Sequence, residues 1–264
     1  MVADSYNSFD YRPFCEQIAR DAGKIFLKYY REGMGTRVKA DKTVVTKADT
    51  EINSLVIKRV AEAFPTHQVL GEEESSASKL DADYIWVCDP VDGTFPFSIH
   101  VPVSVFSLAL TYKGDPIAAV IFEPQSDRLF FAQKGKGTYL NGTQIFVSKK
   151  TFADTPAVMI EDSIWAGQGC ATFRQYCREA KVFTFGLPSI AAASVLVARG
   201  AAEATVFTGT KPWDCAAYAL LVTEAGGKVT DLAGKSQRYD RDTNGCIASN
   251  GILHDKIVEL VQKK

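Results

Sequence analysis

Tyr84-Ile85-Trp86-Val87-Cys88-Asp89-Pro90-Val91-Asp92-Gly93-Thr94 is the stretch on which the reading of this chain turns. It begins as an apolar strand with the look of a buried one and ends in two aspartates. Isolated carboxylates at the end of such a strand are costly to desolvate. A hard divalent cation removes that cost, because Mg2+ takes carboxylate, carbonyl and water oxygens. Pro90 and Gly93 set a tight turn that can aim both carboxylates and the Val91 carbonyl at one point. Gly93 lets the backbone approach a ligand closely, and Thr94 can cap a helix that follows. A helix start with free N–H groups is a seat for phosphate. The plainer alternative is a surface turn carrying two solvated aspartates.

Upstream of this stretch the period is helical. Tyr11, Phe14, Ile18, Ala22, Ile25 and Tyr29 recur every three or four residues, predicting a helix that Gly33 and Gly35 stop. Ile52, Leu55, Val56, Val60 and Ala63 predict a second helix, ended by Pro65. From Tyr84 the chain predicts strands at Tyr84–Cys88, Val103–Tyr112, Ile117–Phe122 and Leu129–Ala132. Connections that short favour antiparallel neighbours. Beyond Ser148 helices and strands alternate. Strands are expected at Ala157–Ile160, Val182–Phe185, Ala204–Phe207, Lys228–Thr230 and Cys246–Ala248. Helices are expected around Thr172–Glu179, at Ile190–Ala198, at Trp213–Ala225 before the Gly226-Gly227 pair, and at Leu253–Val261. The expectation is an α+β chain with helices layered around a second sheet, its two packed lobes (1–150 and 151–264) meeting near residue 150.

Composition narrows the function. The 264 residues are 46% hydrophobic and 23% charged, which argues against disorder. Lys plus Arg is 30 and Asp plus Glu is 31, so no global field draws the chain to nucleic acid or an anionic membrane. No run approaches the ~20 apolar residues of a membrane span. Met1 to Asp10 is polar and aromatic, with no secretory leader, so a reducing cytoplasmic setting is expected. The six scattered cysteines then read as free thiols in packed sites. Three histidines far apart in sequence, and no Cys pair, give no zinc pattern. Gly135-Lys136-Gly137 lacks the third glycine of a dinucleotide fingerprint, since Leu140 stands there; a hairpin turning at Asn141-Gly142 explains it better. There is no GxxxxGK[ST] loop. A small-molecule protein remains.

Two more acidic segments stand out: Gly71-Glu72-Glu73-Glu74-Ser75, and Pro212-Trp213-Asp214-Cys215-Ala216-Ala217 at the head of an apolar helix. Alone, the glutamate run reads as a solvated face, and Asp214 as an acid complementing a helix dipole. Their order decides the matter. GEE, then DPVDGT, then WDxAA resembles the lithium-sensitive, Mg2+-dependent phosphomonoesterases of the inositol monophosphatase family. The resemblance runs from Lys39–Asp49 (KADKTVVTKAD) to Cys246–Gly251 (CIASNG) and is particularly close at Trp213–Gly234. It implies a layered αβαβα sandwich of the sugar-phosphatase type. It also implies a phosphomonoester substrate of the inositol phosphate, sugar phosphate, histidinol phosphate or 3′-nucleotide class, and by analogy a homodimer.

By the same resemblance, Glu72, Asp89 and the Val91 carbonyl hold one Mg2+, and Asp89, Asp92 and Asp214 a second. Glu72 also helps a loosely held third. Thr94, paired with Asp49, orients and deprotonates the attacking water for in-line attack on phosphorus. The Gly93 and Thr94 N–H groups take phosphate oxygens. Substrate contacts are expected at Asp92, Gly93, Thr94, Ser189, Phe207 and Asp214. Lys39 or Lys42 falls where the family has a mobile loop, although the plain reading of each is a solvated lysine.

Departures from the family pattern cluster on the leaving-group side. Inositol-specific members place a Glu seven residues before the WD aspartate to hold a ring hydroxyl, and here that position is Phe207. Pro188 removes a backbone donor from a second substrate segment. Pro96 follows the DGT motif, and Tyr218 stands where many relatives have Gly. The expectation is poor turnover of myo-inositol 1-phosphate. The alternative is a family member that binds metal or a phosphorylated ligand without turning it over.

Overall fold

The computed structural model describes residues 9–40, 42–154, 156–161 and 170–263. Met1 to Ser8, on which much of the no-leader reading rests, lie outside them. The described chain opens with α1 (Arg12–Glu32), which buries Cys15, Ile18, Ala19, Ala22 and Phe26 along one stripe and ends at Gly33, φ +110°. A small antiparallel hairpin follows, β1 (Arg37–Val38) and β2 (Val44–Val45). Then comes α2 (Lys47–Ala63), which starts well before the first apolar residue of its expected stripe. The cause is a capping box: Asp49 Oδ2 accepts the Thr46 backbone N–H at 2.8 Å, while the Thr46 side chain caps the third helical residue.

A seven-stranded sheet comes next, its strands side by side in chain order: β3 (Gln68–Gly71), β4 (Tyr84–Asp92), β5 (Val105–Tyr112), β6 (Asp115–Glu123), β7 (Arg128–Gln133), β8 (Thr138–Leu140) and β9 (Thr143–Ile145). All neighbours pair antiparallel except β3 and β4. A short helix, α3 (Thr94–Ser98), leaves β4. The β8–β9 turn is the expected Asn141-Gly142 hairpin, with both residues left-handed at φ +46° and +82°. The Gly135 and Gly137 N–H groups are held by the Glu224 carboxylate, a structural use of that GxG.

The second half runs β10 (Ala157–Glu161), α4 (Ala171–Glu179), β11 (Phe183–Phe185), α5 (Ile190–Ala198), β12 (Ala204–Phe207), α6 (Pro212–Glu224), β13 (Lys228–Thr230), β14 (Cys246–Ser249) and α7 (His254–Gln262). Its strands form one sheet in the order β11-β10-β12-β14-β13, parallel around β10 and antiparallel around β14.

Three apolar layers hold these parts together. Trp86, Cys88, Phe106, Leu108 and Leu110 face α1 and α2. On the opposite face Ile85, Val87, Val105, Ala109 and Ile121 meet α5 and α6, which also touch Phe207, Cys246 and Ala248 of the second sheet. Lying between two sheets, α5 and α6 are apolar nearly all round. Beneath the second sheet, Phe173, Cys177, Ile257 and Leu260 of α4 and α7 pack on Val158, Ala204, Val206 and Ile247. The stacking is α–β–α–β–α, the α+β layering expected. All six cysteines are buried free thiols. Among the described residues no helix is long and apolar enough to cross a membrane.

Candidate metal centre

In a regular strand, residues three apart point to opposite faces. Asp89 and Asp92 do not. The β4–β5 register shifts between them, so Asp89 lies opposite Ser107 and Asp92 opposite Val105. Three steps on β4 are matched by two on β5, and this bulge returns Asp92 to the Asp89 face. Pro90, which has no N–H to give a ladder, sits inside the bulge. That face looks toward α5 and α6, and α6 carries Asp214 in its first turn. Carboxylate oxygens of Asp89, Asp92 and Asp214 all lie within 4.8 Å of one another.

Glu72 joins from the end of β3, where its N–H donates to the Cys88 carbonyl at 3.1 Å. Burial pushes the Glu72 carboxyl up to about 7, with Glu73 and Asp49 adding to the rise and Lys39 opposing it. Burial also holds Asp89 well above the usual carboxylate range, reinforced by Glu72, Asp92 and Asp214. Asp92 is pushed up to about 6 by burial, against the hydrogen bonds it receives from Ser189 and α5. Such a set of buried oxygens, destabilised as anions, fits a hard divalent cation that would pay the desolvation.

One oxygen of Asp92 is already committed. Its Oδ2 accepts from the Ser189 hydroxyl and from the Ala191 N–H at 2.8 Å, at the N-terminus of α5. Ser189, expected at the substrate, thus serves as the α5 N-cap and as a hydrogen-bond donor to Asp92. Gly93 follows at φ +84°, and a Cβ there would stand 2.9 Å from the Pro188 carbonyl oxygen and 3.0 Å from Ser189 Cβ. Only glycine fits both the left-handed backbone and this close approach. Gly93, rather than Thr94, is the N-cap of α3.

Thr94 Oγ1 lies 3.1 Å from Asp49 Oδ1 and 3.0 Å from the Val91 carbonyl oxygen. It has one proton and two acceptors. Asp49 is fully buried, and burial pushes its carboxyl up to about 6 despite the hydrogen bonds from Thr46 and Thr94. Four loci distant in sequence therefore converge: the α2 start, the β3 end, the β4 bulge and the α6 start.

The expectation of a solvated lysine at 39 is corrected. Lys39 Nζ reaches Glu73 Oε1 at 2.5 Å and Glu72 Oε1 at 3.3 Å, because the β1–β2 hairpin folds over the glutamate run. Lys42 is exposed, as a solvated lysine should be. Nor is the glutamate run a uniformly solvated face, since Glu73 keeps only 11% of its side chain exposed. Phe207 is buried, and its ring packs so tightly over Gly209 that a Cβ there would come within 2.2 Å of it. Two participants went unread in the sequence. Thr46-x-x-Asp49 is a capping pattern that could have been found, whereas Ser104, whose Oγ donates to the Gly93 carbonyl at 2.7 Å, gives no signal.

Comparison with known proteins assigns the chain to a family. The profile of the inositol monophosphatase family matches residues 10–264. The phosphatase IMPL1 of Arabidopsis thaliana, a chloroplastic protein, is 32% identical over 262 residues, covering 93% of this chain and 68% of that one. The Nus factor SuhB of Salmonella typhimurium is 32% identical over 223 residues, 82% of this chain and 83% of that one. Among solved structures, the IMPase of Thermotoga maritima superposes with a TM-score of 0.84 at 26% identity, covering 96% of this chain and 97% of that one. The chain belongs to the inositol monophosphatase family.

Proposed function

We propose that this phosphatase-family chain is a Mg2+-dependent phosphomonoesterase whose substrate is not principally an inositol phosphate. The observation that carries the reading is the convergence of the Asp89, Asp92 and Asp214 carboxylates within 4.8 Å, beside a Thr94–Asp49 pair at 3.1 Å. Glu72, Asp89 and the Val91 carbonyl would hold one divalent cation and Asp89, Asp92 and Asp214 another, supplying charge for the phosphoryl oxygens and a more acidic water. Thr94 Oγ1 accepts a proton from the attacking water while passing its own to Asp49 Oδ1. Burial lifts Asp49 to about 6, near enough to neutrality for a working base. The Gly93 and Thr94 N–H groups, at the open end of a helix, orient a phosphate oxygen.

The leaving-group side supports a different alcohol. Phe207 cannot accept a hydrogen bond from a ring hydroxyl, and Pro188 offers no N–H. Myo-inositol 1-phosphate is therefore a poor substrate. Lithium sensitivity, a cytoplasmic setting and a homodimer complete the proposal on family grounds alone; Li+ inhibition, fractionation and sedimentation velocity test them.

Phosphate release across a phosphomonoester panel, with Mg2+ present or chelated, is the test. Metal-dependent release that Asp92→Asn abolishes is expected, with inositol phosphate ranked low. The second reading, binding without turnover, draws on the relative named as a Nus factor rather than a phosphatase. Intact metal binding with no release from any substrate selects it.

A further inference from the structure

Away from the carboxylates, the start of β5, the β6–β7 turn and α5 enclose a half-open cavity of about 150 Å3. Val103, Val105, Leu187, Ala192 and Leu196 give it apolar walls. In other proteins an apolar cavity of about that volume admits benzene. Of the polar residues that also line it, Ser104, Glu123, Gln125, Ser126 and Arg128, Gln125 has a buried Nε2 without a hydrogen-bond partner among the described residues. A buried amide left unmatched is destabilising until a ligand or water meets it, and a hydroxyl, which both donates and accepts, satisfies either end of an amide. The charged groups of the lining are already matched: Glu123 accepts from the Ser126 hydroxyl at 2.7 Å and pairs with Arg128. An ionic ligand therefore finds no free counter-charge among these groups.

We propose that this cavity binds a small, uncharged, largely apolar molecule bearing one hydroxyl, and that its occupancy is felt at the metal centre. Two wall residues make the link. Ser104, also lining the cavity, donates its hydroxyl to the Gly93 carbonyl at 2.7 Å. The Ala192 N–H donates to Ser189 Oγ at 3.3 Å, and that hydroxyl in turn binds Asp92. A ligand that shifts either wall moves the turn carrying Asp92 and Gly93.

Saturation-transfer NMR on the full chain tests the site, with benzyl alcohol and toluene as probes. Benzyl alcohol is expected to bind about 3- to 10-fold more tightly than toluene, the worth of one hydrogen bond. Leu196→Phe, which fills the cavity, is expected to abolish transfer, and Gln125→Leu, in a partly exposed turn, to make the two probes equal. No transfer to benzyl alcohol, equal affinities in the wild type, or undiminished binding by a folded Leu196→Phe overturns the site. Mn2+ binding followed by electron paramagnetic resonance, with and without saturating benzyl alcohol, tests the coupling. At least a twofold shift in Mn2+ affinity is expected, and an unchanged affinity overturns it. Neither readout requires turnover, so a chain that binds benzyl alcohol but releases no phosphate refutes only the proposed activity.

Discussion

Raising the pH on metal-stripped protein isolates the electrostatic load of the site. Burial takes Asp92 from an ordinary 3.8 to about 6 and Glu72 from 4.5 to about 7. A carboxyl whose pKa rises on folding holds its proton more tightly in the folded chain across the interval between the two values. It costs nothing at low pH, where both states are protonated. Stability then falls as the pH rises from about 4, and the whole penalty is present above about 7. Between pH 5 and pH 8 the Asp92 and Glu72 shifts together account for at least about 3 kcal/mol, about half of the Asp92 penalty being already present at pH 5. For 264 residues, with an unfolding entropy of about 2.1 cal/mol/K each, that is about 5 °C in Tm. Thermal unfolding followed by circular dichroism in chelator is therefore expected to give a Tm at least about 5 °C lower at pH 8 than at pH 5. Saturating Mg2+ should erase most of this difference, and should stabilise less at pH 5, where it has to displace protons. A metal-free Tm that is flat or rises between these pH values, with Mg2+ adding the same increment at both, refutes the reasoning.

Thr94→Ala removes the hydroxyl between Asp49 and the Val91 carbonyl; kcat should fall about 10²- to 10⁴-fold while Mn2+ affinity stays near wild type. Gly93→Ala forces a Cβ against the Pro188 carbonyl at a left-handed backbone, and urea unfolding should show a loss of about 1–3 kcal/mol. Lys39→Met frees Glu72 and Glu73 from their ammonium partner. Titration calorimetry should then report Mn2+ binding about fivefold tighter, the equivalent of about 1 kcal/mol for a part-buried ion pair. Phe207→Glu restores an acceptor for a ring hydroxyl, and kcat/KM on myo-inositol 1-phosphate should rise about tenfold or more; no rise would place the leaving group elsewhere.

Much of the site could be read from the sequence, because the acidic segments occur in an order that surface charge has no reason to produce. Their flanks helped: Asp89 ends an apolar strand and Asp214 opens an apolar helix. Asp49 was different. Only resemblance pointed to it as Thr94's partner, since a helix N-terminal acid needs no such role, and the structure makes it a cap and an acceptor at once. The hairpin β1–β2 and the edge strand β3 went unread because two to four residues are too few to show a period. Val103 was expected in β5, which instead starts at Val105; just before that start, Ser104 is turned to the Gly93 carbonyl. The burial of Glu73 and the docking of Lys39 depend on how a polar loop folds over its neighbours, which composition does not encode.

Asp89 and Asp92 share a face only because β4 carries one residue more than its partner. The site thus depends on backbone count as well as on residue identity. Deleting Val91 would give a straighter strand and better ladder pairing with the residue-92 carboxylate still on the Asp89 face, yet would remove the carbonyl that Thr94 Oγ1 bonds and that is proposed to serve a cation. The sheet favours losing that residue while the metal centre requires it. Along the seven-stranded sheet, positions 90 and 91 should accept substitution and refuse any change in length, so an indel scan would find the site where point substitutions there would pass it by.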